Sequence, residues 1–228
     1  MLTHLKQLLT PEELAQARAL LRAPGALGRR PPQRRRAGPA GQEQPAAGAG
    51  LPSAGTLRAL VLAALQRDAL FLSAALPRKI FNPLFNRYEG AANHYGAHVD
   101  NAVLHAREPD QWVRADLSCT LFLTPPEDYE GGELRVHERF GHQDVKLPAG
   151  DAVLYPATSV HEVRPVTRGA RLASFFWVES MVRSDEQRRL LFDMDMALLQ
   201  LRQRHGDSPE ATRLTGTYHN LLRLWAST

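Results

Sequence analysis

Hydrophobic and polar positions alternate along this 228-residue chain in three successive textures. The first is helical. Thr10-Pro11-Glu12-Glu13 reads as a capping box with proline at the first helical position. Leu14, Ala17 and Leu21 follow at helical spacing and predict a short amphipathic helix over residues 11 to 22. Between 23 and 50 the pattern collapses: 23 of these 28 residues are Ala, Gly, Pro or Arg, too little apolar surface to offset the entropy of ordering them. Helical periodicity returns at Leu57, Leu60, Val61, Ala64 and Leu65 and runs to about Leu76. From Arg78 the texture changes to short runs of Val, Leu, Phe and Tyr between Gly, Pro and Asp turns. Strands are expected near 79–88, 97–105, 114–123, 132–138, 142–147, 151–155, 160–166 and 170–179, the spacing of a barrel or jelly roll. Beyond Met181, SDEQRRLLFDMDMALLQLRQRH and SPEATRLTGTYHNLLRLW read as two serine-capped helices. The Leu190, Leu191, Met194, Leu198 and Leu201 stripe on the first of them suggests packing or the face of a homodimer. The organisation expected is therefore N-terminal helices over 1–77, a β-rich domain over 78–180 and a helical extension over 181–228.

Charge sharpens this reading. The chain carries a net +4, and its basic pI is about 9.6. Residues 23 to 50 hold five arginines and one glutamate, while the remainder balances 23 basic against 23 acidic residues. All the net basicity sits in the patternless stretch, so the rest gives no general argument for an anionic partner. No aromatic residues interleave with those arginines as a nucleic-acid stacking platform would require, and nucleic acid is not an expected partner. A single cysteine, Cys119, excludes a disulfide framework, points to a reducing compartment and reads as a small core residue. The opening residues lack the apolar core and cleavage site of a signal peptide, and no apolar run approaches the ~20 residues of a membrane span. The expectation is a cytoplasmic protein with no membrane partner.

The candidate chemistry lies at His98, Asp100 and His161. In HVD the histidine and the aspartate stand two apart, which on a strand sends both side chains to one face. His161 follows 63 positions later in the apolar context YPATSVHEV. A strand pair with a distant third ligand is the layout of a 2-His-1-carboxylate facial triad, which holds Fe(II) and leaves positions open. An H-x-D pair alone is more often structural, and the other histidines read as surface residues. A second feature raises the odds. Arg171 lies ten residues after His161 on the next expected strand, where a buried arginine is costly unless it meets an anion. Its planar fork matches a carboxylate, so a dicarboxylate could span metal and arginine, although a surface ion pair would also suit an arginine at this spacing.

At these residues the chain resembles the PKHD-type hydroxylases, relatives of prolyl 4-hydroxylases among the Fe(II)/2-oxoglutarate dioxygenases. The resemblance runs from about Leu70 to Trp225 through PLFNRYEG, YGAHVDNAV, RADLSCTLFL, DYEGGEL, VKLPAGDAVLYPATSVHEVRPVTRGARLASFFWVESMV and LLFDMD. It implies a mainly β fold with flanking helices (α+β) around a double-stranded β-helix, or jelly-roll, core. It implies His98, Asp100 and His161 as ligands of Fe(2+) and Arg171 as the clamp on the cosubstrate 2-oxoglutarate. Tyr88, in FNRY, matches a tyrosine that touches 2-oxoglutarate in related enzymes, though a core aromatic is an equal reading. Further implications are O2 as co-reactant, succinate and CO2 as co-products, L-ascorbate as a reductant that restores oxidised iron, and a link to iron uptake. The hydroxylated substrate, a small molecule or a peptide, is left open. Gly131 and Gly132 read as a tight turn, and Tyr155-Pro156 as shaping the approach to His161.

One stretch departs from the family. In the family the residues after the first helix typically read WVDGR, a short spacer and VKNNQQL, and this sequence departs from that pattern completely. A one-base shift of permitted codons for Gly41 to Ala47 yields VKNNQQL, and the same shift at Leu27 to Arg30 yields Trp-Val-Asp-Gly. Residues from about 24 to between 50 and 56 therefore read as translated out of frame, an irregular insert-like segment over 24–55. This leaves a second functional class, a non-catalytic β-helix that binds metal or ligand but is impaired by the altered segment. Cofactor binding without turnover would distinguish it from an active hydroxylase.

Overall fold

The computed structural model describes residues 1–22, 52–107 and 109–228. Helix α1 (Pro11–Arg22) starts on its capping box: Thr10 N donates to Glu13 Oε2 at 2.9 Å and Glu13 N donates to Thr10 Oγ1 at 3.2 Å. Two orphan donors of the first turn are thereby satisfied. The expected single helical stretch from 57 to 76 is two helices, α2 (Pro52–Arg67) and α3 (Ala69–Ala75). Asp68 divides them because its carboxylate accepts from Phe71 N at 2.6 Å, which starts a new helix. Helix α2 begins at Pro52, inside the bounds of the irregular 24–55 segment; the part of that segment from 24 to 51 lies outside the described residues.

These helices cover one face of the larger sheet. Its strands run β1 (Thr3–Leu5), β11 (Ala152–Pro156), β7 (Leu117–Phe122), β14 (Arg171–Ser180) and β2 (Pro77–Ile80), and β3 (Leu84–Tyr88) also pairs with β14. Strict alternation decides what faces what. Leu117, Cys119 and Leu121 of β7, Ala152 and Leu154 of β11, and Leu172, Phe176 and Val178 of β14 pack against Leu57, Val61, Leu65 and Phe71 of the helices. A fully buried side chain of this size contributes about 2 kcal/mol. The opposite face of the same strands points inward, toward a second sheet. That sheet runs β10 (Gly141–Val145), β9 (Leu134–Glu138), β12 (His161–Val163) and β4 (Tyr95–His98). Two antiparallel sheets face to face with helices outside make the jelly roll. Smaller pairs are β5 (Val103–Arg107) with β6 (Asp110–Arg114), and β8 (Tyr129–Gly131) with β13 (Val166–Gly169). The serine-capped helices α4 (Asp185–His205) and α5 (Pro209–Trp225) pack on each other and on α3. Leu191, Met194 and Leu198 of the α4 stripe enter that core with Tyr218, whereas Leu190 is exposed. Cys119 is buried, and desolvation pushes its thiol well above the usual range, in keeping with a core role. No helix among the described residues is long and apolar enough to cross a membrane.

Several expected strands are divided. The stretch 79–88 breaks into β2 and β3 around Asn82-Pro83, since proline cannot donate to a ladder. The stretch 97–105 breaks after His98, 114–123 begins within β6, and 160–166 breaks at Arg164-Pro165. The three-residue strand β1 carries no signal of its own length. It is fixed by tertiary contacts: Asp151 accepts from His4 Nε2 at 2.7 Å and from Gln7 N at 2.8 Å, which holds Gln7 at φ 50°. Asp151→Ala is expected to lower unfolding stability by about 2–3 kcal/mol, because two bonds to a mostly buried carboxylate are lost together. An unchanged urea midpoint would contradict that role.

Candidate metal centre and carboxylate pocket

His98 closes β4 and His161 opens β12, and the two are direct register partners across the smaller sheet, with ring centroids 4.3 Å apart. Asp100 is not on their strand. It sits two residues beyond the end of β4, so the same-face argument from an unbroken strand does not describe it. Its carboxylate is brought in by the larger sheet instead: Ser118 Oγ, on β7, donates to Asp100 Oδ2 at 2.6 Å. His98 Nε2 lies 3.8 Å from Asp100 Oδ1 and His161 Nε2 lies 3.6 Å from Asp100 Oδ2. One ligand atom from each of the three falls within 4.8 Å of the others. His98 Nδ1 donates to the Gly96 carbonyl at 2.8 Å, and His161 Nδ1 donates to the Ser159 carbonyl at 3.0 Å. A carbonyl only accepts, so each Nδ1 carries the proton and each Nε2 offers its lone pair inward. Backbone carbonyls that take the Nδ1 proton fix the ring orientation in the way a metal-binding imidazole needs. Two imidazoles and a carboxylate suit a divalent first-row ion.

Arg171 is the first residue of β14 and is only 1% exposed. It does not lie on the strand next to His161, as its spacing suggested: β13 intervenes, and β14 belongs to the opposite sheet. Among the described residues it enters no ion pair, and its Nε and Nη2 have no well-aligned hydrogen-bond partner, although the Tyr129 hydroxyl stands beside the guanidinium. Its guanidinium carbon lies 5.1 Å from the Phe122 ring centroid and 5.8 Å from that of Tyr88, its register partner on β3. Burial pulls its pKa below the ordinary arginine value, opposed by the neighbouring phenols of Tyr129, Tyr88 and Tyr155. A buried cation in this state requires an anion. Along β14 the position opposite Ser118 is Trp177, and Arg171 lies six residues earlier on the same face. One pocket takes in both the His-Asp-His cluster and Arg171, together with Tyr88, Tyr155 and Trp177.

Family models match in two blocks, the 2OG-Fe(II) oxygenase superfamily over residues 83–179 and the PKHD-type hydroxylase C-terminal domain over residues 185–227. A PKHD-type hydroxylase of a Polaromonas species is 56% identical over the whole of both chains. Another, from Verminephrobacter eiseniae, is 64% identical over 75% of this chain and 76% of its own. This chain belongs to the PKHD-type hydroxylases. It is a dioxygenase of the 2OG-Fe(II) class, whose cofactors are Fe(2+) and 2-oxoglutarate. In fold it is similar to a prolyl hydroxylase from Trichoplax adhaerens, solved with a peptide fragment of hypoxia inducible factor. The TM-score is 0.55 at 17% identity, covering 83% of this chain and 86% of that one.

The hydroxylase thus gathers all five residues singled out in its sequence into one pocket, Tyr88 among them. Tyr88 is both core and lining: it is 1% exposed, packs with Tyr129, Val163 and Val166, and its hydroxyl accepts from Asn86 Nδ2 at 3.4 Å. Burial pushes its phenol above the usual range, with Arg171 opposing, so it remains a neutral hydrogen-bonding group. Tyr155 sets its ring edge-on to His161 at 5.2 Å. Sequence reasoning missed Ser118, the residue that anchors Asp100. A signal was present: β7 is buried throughout, yet its inward positions 118 and 120 are Ser and Thr. Polar residues at alternate positions of a wholly buried strand face either a polar partner or a site. Tyr129 was missed for a different reason, its proximity to Arg171 arising from the pairing of β8 with β13.

Proposed function

We propose that His98, Asp100 and His161 hold Fe(II) and that Arg171, with Tyr88 beside it, receives the distal carboxylate of 2-oxoglutarate. The observation carrying this reading is that a preorganised His-Asp-His cluster shares one pocket with a buried, unpaired guanidinium. The donor set suits the metal, and the orphaned guanidinium suits a dicarboxylate cosubstrate. Bound together, iron and 2-oxoglutarate supply O2 activation, with the oxoacid converted to succinate and CO2 and a substrate carbon hydroxylated.

The chain's own residues orient and enclose. The Gly96 and Ser159 carbonyls fix the two imidazoles, and Ser118 fixes the carboxylate. Tyr95 stands edge-on to His98 at 4.3 Å and Tyr155 to His161 at 5.2 Å, which keeps water from much of the ligand surface. Phe175 and Trp177 line the opposite wall, edge to face at 5.7 Å, and Phe81 extends that aromatic strip at 5.5 Å from Trp177. These rings offer an apolar approach for a small-molecule or peptide substrate. L-ascorbate would sustain turnover by keeping the iron reduced. A cytoplasmic setting and a place in iron uptake complete the proposal.

Supplied with Fe(II), 2-oxoglutarate and O2, purified protein is expected to form succinate, faster when the right substrate is present. A screen of peptides, amino acids and iron chelators for substrate-stimulated succinate release is the direct test. Failure to bind both iron and 2-oxoglutarate would sink the reading, and binding without turnover would leave only a ligand-binding barrel.

A further inference from the structure

We infer that Asn86 reads the substrate: its amide oxygen accepts a hydrogen bond from an N–H or O–H group beside the carbon to be hydroxylated. This rests on the proposed seats of iron and 2-oxoglutarate. Asn86 is 5% exposed and lines the same pocket as the His-Asp-His cluster and Arg171. It lies in the middle of β3, where Asn86 and Tyr88 line the pocket while Phe85 between them joins the core beneath the helices. On β14 its register partner is Ala173, between Arg171 and Phe175. Asn86 therefore stands between the arginine end of the pocket and the aromatic wall of Phe175 and Trp177.

Two of the lining residues hold buried polar atoms without a well-aligned partner among the described residues: Arg171 at Nε and Nη2, and Asn86 at Oδ1. Their demands are opposite. The arginine nitrogens donate and call for an acceptor, whereas an amide oxygen accepts and calls for a donor. Neighbouring hydroxyls are committed elsewhere: Ser118 donates to Asp100, and Tyr155 and Thr120 share a hydrogen bond. The amide nitrogen of Asn86 is committed too. It donates to the Tyr88 hydroxyl at 3.4 Å, which sets the nitrogen toward Tyr88 and leaves the phenol its proton for a carboxylate. Neither cosubstrate answers the amide oxygen. At neutral pH 2-oxoglutarate is a dianion whose carboxylates and keto group only accept, and O2 has no hydrogen to give. Buried polar groups are satisfied in the great majority of cases, so the donor arrives with the remaining ligand, the substrate. This narrows its class. An interior prolyl residue has no N–H of its own, so a peptide hydroxylated at proline does not supply the donor from that residue. A secondary amide, a ring N–H or a hydroxyl beside the reacting carbon does. A site built around such a bond rejects the analogue that lacks it, because the buried acceptor is then stranded.

The test uses the full chain loaded with Zn(II) and 2-oxoglutarate, which avoids turnover and keeps NMR signals sharp. The probes are pyrrole and furan, rings of nearly equal size of which only pyrrole carries an N–H. Saturation-transfer titration is expected to show pyrrole binding roughly fivefold more tightly than furan, the worth of one neutral hydrogen bond. In Asn86→Leu the two rings should bind alike, while calorimetry shows 2-oxoglutarate still bound; Asn86→Ala serves if the larger side chain disturbs folding. Equal binding of the two rings by wild type, no detectable pyrrole binding, or a pyrrole preference that survives in the variants would overturn the inference. So would loss of 2-oxoglutarate from both variants, which would put Asn86 in the cosubstrate's seat. A wild-type chain that binds no 2-oxoglutarate removes the proposed role of Arg171, and the inference with it.

Discussion

Alanine in place of His98 is expected to abolish succinate formation and to weaken metal binding by more than about 100-fold. The magnitude follows from a comparison within the site. Outer-shell partners of metal ligands typically cost 10–100-fold in affinity or activity when removed, so loss of a ligand itself must exceed that range. Ser118→Ala supplies the lower reference. It deletes the 2.6 Å hydrogen bond to Asp100 Oδ2 but keeps all three proposed ligands, so a loss of roughly tenfold is expected. His98 is also the least buried of the three, with its side chain 23% exposed against 7% for His161 and 8% for Asp100. Its removal therefore disturbs the core least, and the fold should survive. Metal titration monitored by fluorescence, with circular dichroism as the control for folding, decides the matter. A His98→Ala variant that binds metal as tightly as Ser118→Ala would remove His98 from the ligand set.

Arg171 was legible in the sequence because it opens a long β stretch whose period sets the inward face, whereas the two imidazoles, each at the end of a short strand, were legible from their motifs HVD and YPATSVHEV. Arg171 through Ser180 is one strand, and Arg171, Phe175 and Trp177 at odd positions along it line the pocket. What was not legible depends on pairing between distant strands. Asp100 reads as a strand neighbour of His98, yet the strand ends first and Ser118 positions the carboxylate from the opposite sheet. Tyr129 is 42 residues from Arg171 in sequence and becomes its neighbour only when Gly169 allows β13 to close on β8. The three-residue β1 has too few positions for any periodicity; Asp151, far along the chain, specifies it. Helix signals fared better because they are local: each Ser, Thr or Asp cap acts on an amide three residues on, within reach of a reading by eye. The arginine-rich stretch that supplies the chain's basicity falls within 23–51, outside the described residues, and every residue proposed for chemistry lies outside that stretch.

Arg171→Met should separate function from stability in opposite directions. In the cofactor-free protein the guanidinium is desolvated and enters no ion pair among the described residues, with the Phe122 and Tyr88 rings and the Tyr129 hydroxyl as partial compensation. Replacing a buried charge by an apolar side chain of similar length is often neutral or stabilising by about 1–4 kcal/mol. The apo variant should therefore melt no lower than wild type, and a rise of several degrees is expected. Binding should move the other way, because removing one partner of a buried, hydrogen-bonded charge pair costs about 2–5 kcal/mol, or roughly 30-fold to several thousand-fold in affinity. A ligand present at 100 times its dissociation constant stabilises the fold by about 2.7 kcal/mol, and a variant weakened this far loses most of that gain. The signature is thus a thermal shift on adding 2-oxoglutarate that is large in wild type and nearly absent in Arg171→Met, from a starting point that is equal or higher. Arg171→Lys should fall between them, since lysine keeps the charge but not the planar two-point contact. An apo variant that melts several degrees lower would mean that Arg171 braces the barrel rather than waiting for a carboxylate.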